Sequence, residues 1–144
     1  MAAGIRSNQR GLVRVSRKTI LIVEDRPEIR KLVRMAMRSR PYDLIEADSG
    51  EAGLEAVTFQ RPDLVLLDVM MPGRLDGLSV CRAIKGTPEL SAIPVVIVSA
   101  LAQVSDLELA REAGADDYLA KPFSLVGLQA TIDRLLGNPG GGRD

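Results

Sequence analysis

Polar residues that can handle phosphate or a divalent cation follow four short apolar runs of this 144-residue sequence. An acidic pair follows the first run, an aspartate the third, a serine the fourth and a lysine the fifth: Glu24, Asp25, Asp68, Ser99 and Lys121. Carboxylates are ligands of hard cations, whereas ammonium and hydroxyl groups donate hydrogen bonds to phosphoryl oxygens. A single acid after a strand is commonplace as a helix cap or a solvated residue. Four such positions together predict a site for phosphate or a cation.

The remaining composition excludes several other kinds of chemistry. The chain has no histidine, which excludes a Ser-His-Asp triad, an imidazole metal ligand and a phosphohistidine formed on this chain. The single cysteine, Cys81, excludes an internal disulfide and a multi-cysteine zinc site, and we interpret it as a buried apolar residue. Apolar runs such as 94–98 are far shorter than the ~18 residues of a membrane helix. We therefore expect a soluble, cytoplasmic protein with no membrane contact.

Five short apolar runs alternate with helical patterns over about one domain's length of chain. The first, third and fourth runs are apolar at consecutive positions, which is typical of parallel strands covered on both faces. Five β/α units in series predict an α/β fold with a doubly wound five-stranded parallel sheet, in the order 2-1-3-4-5. Ligands of such sheets bind at the carboxyl ends of the strands. The predicted strands are Thr19–Val23, Asp43–Ala47, Asp63–Leu67, Pro94–Val98 and Asp117–Leu119.

An apolar stripe and several capping signals predict the five helices. Apolar residues recur every three or four positions from Ile29 to Met37, which predicts the first helix. The other four are predicted from N-terminal serines or an Asp-Gly pair and from C-terminal glycines. Their expected starts are Ser49, Asp76-Gly77, Ser105 (in a capping box with Glu108) and Ser124. The second helix is expected to end at about Phe59, the fourth at Gly114 and the fifth at Gly137.

The charge distribution and the glycines predict three segments. Residues 1–17 are expected to form a basic flexible tail, because the first 18 residues contain five basic residues and no acid. Such a start can resemble an organelle transit peptide, but we interpret it as a solvated tail. The folded unit is predicted at 18–137, followed by a Gly-rich flexible tail at 138–144. These ends leave open that the chain is part of a longer protein.

Four segments of the sequence resemble the receiver domain of two-component response regulators. They occur in the family's order and spacing, and the resemblance covers about 120 residues of the chain, so the set is specific. It implies a flavodoxin-like, CheY-like three-layer sandwich. The matching segments are 20–25 (ILIVED), 63–72 (DLVLLDVMMP), 94–100 (PVVIVSA) and 114–123 (GADDYLAKPF).

The resemblance implies a Mg²⁺ (or Mn²⁺) site with Asp25, Asp68 and the backbone carbonyl of Met70 as ligands, and Glu24 acting through water. Many family members have Asp at the Glu24 position, and we expect the longer side chain to serve. Close carboxylates repel one another by about 4 kcal/mol per pair at ~4 Å and an effective dielectric of ~20, and a divalent cation relieves this. Asp68 would be the phosphoacceptor. Lys121 would neutralise charge on the phosphoryl oxygens.

The resemblance also implies a conformational switch. Ser99 would hydrogen-bond the attached phosphoryl group, with the small Ala100 leaving room for it. Tyr118 would then enter the space that Ser99 vacates, unless it is simply a half-buried strand aromatic. The surface around the fourth helix and the fifth strand would shift its population as a result. The Lys121-Pro122 pair resembles the family's cis peptide bond.

These roles imply a signalling phosphoacceptor, not an enzyme beyond its own phosphorylation and dephosphorylation. The phosphoryl group would come from a sensor histidine kinase or a histidine phosphotransferase, and the signal would go to a downstream protein that the sequence does not name. One alternative is a receiver-like interaction scaffold that works without phosphorylation. Another is the receiver fragment of a longer regulator.

Three other classes of protein fit the sequence less well. An aspartate-nucleophile phosphatase typically has an acid two residues after the nucleophile, where this chain has Met70. A Rossmann nucleotide-binding domain needs a Gly-rich loop after the first strand, and residues 24–27 contain no glycine. No module for sequence-specific nucleic-acid binding is present, and a basic tail gives only salt-sensitive, non-specific affinity.

Three further features distinguish this sequence. Met70 and Leu101 are bulky and apolar, and we expect them to flank the route of a water molecule that attacks the phosphorylated aspartate and so to slow its hydrolysis. The loop at 71–77 is one residue longer than the corresponding loop common among the receiver domains that this sequence resembles. A basic stripe at every fourth position of the first helix is either a solvated face or a docking surface for an acidic partner, and it consists of Arg26, Arg30, Arg34 and Arg38.

Overall fold

Five parallel strands form one sheet in the computed structural model, which describes residues 17–71, 73, 75–101 and 103–137. The strand order is 2-1-3-4-5, as predicted, and all four strand pairs are parallel. The predicted segments 1–17 and 138–144 lie outside the described residues, except for Arg17. The strands are β1 (Lys18–Val23), β2 (Tyr42–Ala47), β3 (Leu64–Asp68), β4 (Val95–Ser99) and β5 (Asp117–Ala120).

A helix follows each strand, which confirms the five β/α units. Among the described residues no helix combines the length and the apolar character needed to cross a bilayer. The helices are α1 (Pro27–Met37), α2 (Gly50–Gln60), α3 (Gly77–Lys85), α4 (Val104–Glu112) and α5 (Leu125–Leu135).

The inner strands of the sheet, β1, β3 and β4, are buried over most or all of their length, because helices cover the sheet on each side. One core lies under α2, α3 and α4 and includes Leu21, Val65 and Ile97. The other lies under α1 and α5 and includes Ile22 and Leu66. Every residue of β3 and of β4 is buried, as the consecutive apolar positions predicted. The central strands therefore form a rigid base for the residues at their carboxyl ends.

Most of the helix boundaries follow the predicted capping signals. Ser49, Asp76 and Ser124 each accept a hydrogen bond from a backbone amide of the first turn, at 3.1, 2.8 and 2.9 Å respectively. Gly114 and Gly137 follow α4 and α5 in left-handed conformations, with φ of +96° and +72°. These positions confirm the predicted ends of the last two helices.

The predicted capping box of the fourth helix is wrong. Helix α4 begins at Val104, and its N-cap is Gln103, whose backbone N–H donates to the carboxylate of Asp106 at 3.0 Å. Ser105 therefore lies inside the first turn rather than before it. An acid at the third helical position satisfies the free amide of the N-cap, so the helix starts two residues earlier than the serine suggested.

A buried polar cluster joins α5 to the start of β2. Asp133 is buried, and it accepts hydrogen bonds from the Tyr42 hydroxyl and from Arg40 Nε, the latter at 2.9 Å. Arg40 and Asp133 are also an ion pair. Since the carboxylate is satisfied by both a hydroxyl and a guanidinium, its burial is compensated.

The start of α3 packs directly against the end of β3. A Cβ atom built on Gly77 would lie 2.2 Å from the carbonyl oxygen of Asp68 and 2.7 Å from Cα of Val69. Both contacts are with backbone, which cannot rotate away. Gly77 thus allows the loop after β3 to turn back tightly beneath Asp68.

We expect Gly77→Ala to lower the free energy of unfolding by about 2–3 kcal/mol, because the added methyl group overlaps backbone atoms that must shift. Urea denaturation followed by far-UV circular dichroism measures the change. Ser79→Ala, in the same turn, is the control and should change stability by less than about 0.5 kcal/mol. Equal stability of the Gly77→Ala variant and the parent protein would contradict the close contact.

Candidate phosphoacceptor and cation site

Three carboxylates meet at the carboxyl edge of the sheet. Glu24 and Asp25 directly follow β1, and Asp68 is the last residue of β3. Val23 is in register with Leu67, so the two adjacent central strands deliver these acids side by side. One oxygen from each of the three carboxylates lies within 4.8 Å of the others. The residues predicted from separate parts of the sequence are therefore brought together.

Lys121 lies against two of these carboxylates. Its Nζ is 3.0 Å from Glu24 Oε1 and 3.4 Å from Asp68 Oδ1. Glu24 is fully buried and Asp68 is 2% exposed, so the ammonium group neutralises charge where water has little access. The Lys121-Pro122 peptide bond is cis, as the resemblance implied. The predicted amine thus belongs to the same site as the acids.

Asp25 is the member of the cluster that has a buried oxygen, Oδ1, without a hydrogen-bond partner among the described residues. A buried carboxylate oxygen without a donor is costly. Together with the neighbouring acids it fits a hard, oxygen-seeking divalent cation better than it fits a purely structural role.

Burial raises the pKa of Glu24 from 4.5 to about 7. The hydrogen bond from Lys121 opposes this rise, and the nearby charge of Asp68 adds to it. The backbone N–H of Arg26 also donates to Glu24 Oε2, at 3.2 Å. Desolvation outweighs these donors, so Glu24 holds its proton to a higher pH than an ordinary glutamate.

Ser99 is the last residue of β4 and is buried, and its hydroxyl bonds to the chain that follows it. Its Oγ accepts a hydrogen bond from the backbone N–H of Leu101 at 3.0 Å. The carbonyl of Leu101 in turn accepts a hydrogen bond from the hydroxyl of Tyr118. Leu101 therefore connects the two residues that the sequence predicted as a switch.

An open pocket of about 270 Å³ gives access to Asp68. Met70 stands at its wall with 61% of the residue exposed. The backbone N–H of Met70 donates to Asp68 Oδ1 at 3.3 Å. The residues that line this pocket are Asp25, Arg26, Asp68, Met70, Ala100 and Lys121.

Arg26 is the residue of this pocket that the sequence did not predict as part of the site. The sequence placed it only in the basic stripe of α1, although it directly follows the acidic pair.

The arginines of the basic stripe do not share the same contacts. Arg30 and Arg34 both pair with Glu46 of β2, at 3.1 and 2.7 Å, so two of its charges are already partly neutralised.

Comparison with protein families gives a match to the response regulator receiver domain over residues 20–133. The chain belongs to the response regulator receiver family. It is a signalling domain with an acidic cluster at the end of its central strands.

Curated relatives and solved structures agree with this family. The chain is 43% identical to the transcriptional regulatory protein CseB of Streptomyces coelicolor over 126 residues, covering 85% of this chain and 52% of that protein. It thus spans about half the length of the curated relatives it matches.

Two solved structures share the fold of the receiver family. A putative response regulator from Chloroflexus aurantiacus has a TM-score of 0.80 and 31% identity, covering 85% of this chain and all of that one. The receiver domain of sensor histidine kinase PA1611 from Pseudomonas aeruginosa has a TM-score of 0.77, 32% identity and the same coverage. That structure has a magnesium ion coordinated in its active-site cleft.

The raised pKa of Glu24 makes the stability of the metal-free protein depend on pH. Between pH 4.5 and about 7 the folded state holds this proton and the unfolded state releases it, so stability falls as the pH rises. The Glu24→Gln variant lacks this proton-binding group. We therefore expect its free energy of unfolding, relative to that of the parent protein, to rise by about 2–3 kcal/mol between pH 5 and pH 8. Urea denaturation with a chelator present measures this difference.

Glu28→Gln is the matched control, because Glu28 is exposed in the first turn of α1. Its stability should follow that of the parent protein at every pH. If the Glu24→Gln and parent curves run parallel from pH 5 to pH 8, Glu24 does not carry the raised pKa.

Proposed function

We propose that this receiver domain takes a phosphoryl group onto Asp68 in a magnesium-dependent reaction and signals through a conformational switch. The observation that supports it most is the position of Asp68, which is nearly fully buried at the base of an open pocket beside Lys121 and Asp25. The receiver unit is proposed to span residues 18–137. Beyond its own phosphorylation and dephosphorylation we propose no enzymatic activity.

The residues present fit a divalent cation. Asp25 offers a buried oxygen that no described residue donates to, and Asp68 offers a second carboxylate within 4.8 Å. We propose that these two groups and the backbone carbonyl of Met70 would hold Mg²⁺ (or Mn²⁺), with Glu24 acting through water. When bound, the ion would supply positive charge to the phosphoryl oxygens and relieve the repulsion among the carboxylates.

Asp68 is the proposed nucleophile. One of its carboxylate oxygens forms a bond to the phosphorus atom of the donor, and the bond from phosphorus to the leaving group breaks with its electron pair. With a phosphohistidine donor, the leaving imidazole nitrogen keeps that pair and the imidazole is released. Lys121 Nζ, already 3.4 Å from Asp68 Oδ1, then pairs with a phosphoryl oxygen.

Ser99, Leu101 and Tyr118 are proposed to carry the switch. If the Ser99 hydroxyl turns to donate to the phosphoryl group, its hydrogen bond with the Leu101 N–H is lost. The loop between β4 and α4 then moves, and Tyr118, bonded to the Leu101 carbonyl, moves with it. The proposed output is a shift in the population of the surface formed by α4 and β5.

The proposed phosphoryl donor is a sensor histidine kinase or a histidine phosphotransferase. This chain has no histidine, so a phosphohistidine donor must be a different polypeptide. Such a partner would place the reaction in the cytoplasm. The basic stripe of α1 is a proposed docking surface, with Arg38 outside the ion pairs that Arg30 and Arg34 make with Glu46. The downstream target is a further protein.

Incubation with a small phosphodonor tests the proposed function directly. With phosphoramidate and Mg²⁺, intact mass spectrometry should detect one phosphoryl adduct, and a chelator should abolish it. Asp68→Asn should give no adduct, because an amide is not a nucleophile at this position. Asp63→Asn is the control, since Asp63 directly precedes β3 and so lies at the other end of the strand from Asp68, and this variant should still be phosphorylated. Absence of an adduct on the parent protein would favour a scaffold that works without phosphorylation.

Met70 offers a test of the lifetime of the phosphorylated state. Its exposed apolar side chain stands beside Asp68 and cannot hydrogen-bond an attacking water molecule. We expect Met70→Asn to speed the loss of the phosphoryl group about threefold or more, because an amide can position that water. The decay of the adduct by mass spectrometry measures the rate, with Met70→Leu as the apolar control. Equal decay of Met70→Asn and Met70→Leu would contradict this role.

A further inference from the structure

Arg26 is held at the wall of the Asp68 pocket by its own backbone. Its N–H donates to Glu24 Oε2 at 3.2 Å, and its carbonyl accepts from the N–H groups of Ile29 and Arg30 at 3.1 and 3.2 Å. It is also the N-cap residue of α1. These three bonds fix the Cα atom, so the side chain starts from a defined place beside the acidic cluster.

The guanidinium of Arg26 is only weakly engaged within the protein. Its ion pair is with Glu28 at 3.7 Å, and the two side chains are 61% and 67% exposed. Pairs this long and this exposed contribute little. Lys121, the other cation among the described residues that line the pocket, is already in contact with Glu24 and Asp68. Of the two described cations that line the pocket, Arg26 is therefore the one available to an incoming anion.

The net charge of the phosphorylated site favours one additional cation. A bound divalent cation favours the ionised form of all three carboxylates, including Glu24, and together with Lys121 and the cation they are then neutral. A phosphoryl group on Asp68 replaces one negative charge by about two at neutral pH. The phosphorylated site would then have one uncompensated negative charge, and a guanidinium is well suited to phosphoryl oxygens.

We infer that Arg26 binds the phosphoryl group of the incoming donor and keeps its contact with the phosphoryl oxygens after the group has been transferred to Asp68. This inference rests on the proposed function and adds the residue that makes the pocket selective for an anionic phosphoryl group. The transfer itself is unchanged: the oxygen–phosphorus bond to Asp68 forms as the bond from phosphorus to the leaving group breaks. Arg26 exchanges no proton in this step and acts through charge and hydrogen bonds alone.

The role of Arg26 differs from partner docking by the rest of the basic stripe. Docking by Arg34 or Arg38 affects only donors that are proteins, since these residues do not line the pocket. Binding of the phosphoryl group by Arg26 also affects a small donor such as phosphoramidate. A small donor therefore separates the two roles.

The experiment measures the rate of adduct formation from phosphoramidate at saturating Mg²⁺. Arg26→Ala should slow it about three- to tenfold, the effect of losing one charge-assisted hydrogen bond at a partly exposed position. Arg26→Lys should fall between the two, because it keeps the charge without the planar fork. Arg82→Ala, which removes an exposed guanidinium from α3, is the matched control and should react at the parent rate. The difference should shrink as KCl is added.

Affinity for Mg²⁺, measured by calorimetry without a donor, distinguishes the loss of a charge from a distortion of the site. Removing a positive charge near a divalent cation should leave Mg²⁺ binding unchanged or make it tighter. A distorted site would instead bind Mg²⁺ more weakly and react more slowly. Slower phosphorylation with undiminished Mg²⁺ affinity thus supports binding of the phosphoryl group by Arg26.

Two results would overturn this inference while leaving the proposed function intact. One is a parent protein and an Arg26→Ala variant that form the adduct at the same rate. The other is a slower variant that has also lost affinity for Mg²⁺. If the parent protein itself forms no adduct, the proposed function fails and the role of Arg26 fails with it.

Discussion

Repulsion among three carboxylates is the interaction on which this site depends. The two central strands place Glu24, Asp25 and Asp68 so that their oxygens lie within 4.8 Å, where like charges in a partly dry environment repel strongly. Lys121 offsets part of this repulsion through Glu24 and Asp68. One buried oxygen of Asp25 has no donor within the part of the chain that the structure describes. This arrangement of charges fits a divalent cation.

The repulsion persists because the fold prevents the acids from moving apart. β1 and β3 lie in the middle of the sheet, and the apolar residues of β1 and β3 are buried under helices on both faces. Moving either strand end would expose that core or break the ladder between them. At the other side of Asp68, the loop turns tightly beneath the strand because Gly77 has no side chain. Burial of apolar surface elsewhere therefore stabilises a site that is unfavourable by itself.

The same edge of the sheet connects chemistry to the surface. Leu101 receives a hydrogen bond from Tyr118 through its carbonyl and donates one to Ser99 through its amide. In the proposed switch, a change at Ser99 would be transmitted through this one backbone residue to an aromatic side chain of β5. The four arginines in and beside α1 have different environments. Arg30 and Arg34 lie against Glu46, whereas Arg26 lines the pocket.

The sequence by itself determined the order of elements and the residue types at their ends. Consecutive apolar positions predicted β1, β3 and β4, and serine, aspartate and glycine signals predicted most helix ends, because these depend on local backbone chemistry. The start of α4 was missed, since both Ser105 and Gln103 are followed three residues later by an acid and only the folded chain selects between them.

Only the tertiary structure decided how the charges are shared. The sequence shows four arginines at equal spacing, but it does not show that Glu46 reaches two of them from a neighbouring strand. It shows three acids, but not that one carboxylate oxygen of Asp25 has no donor among the described residues, nor that burial raises the pKa of Glu24 to about 7. Pairing and desolvation depend on distances between residues far apart in the chain, and those distances exist only once the sheet has formed.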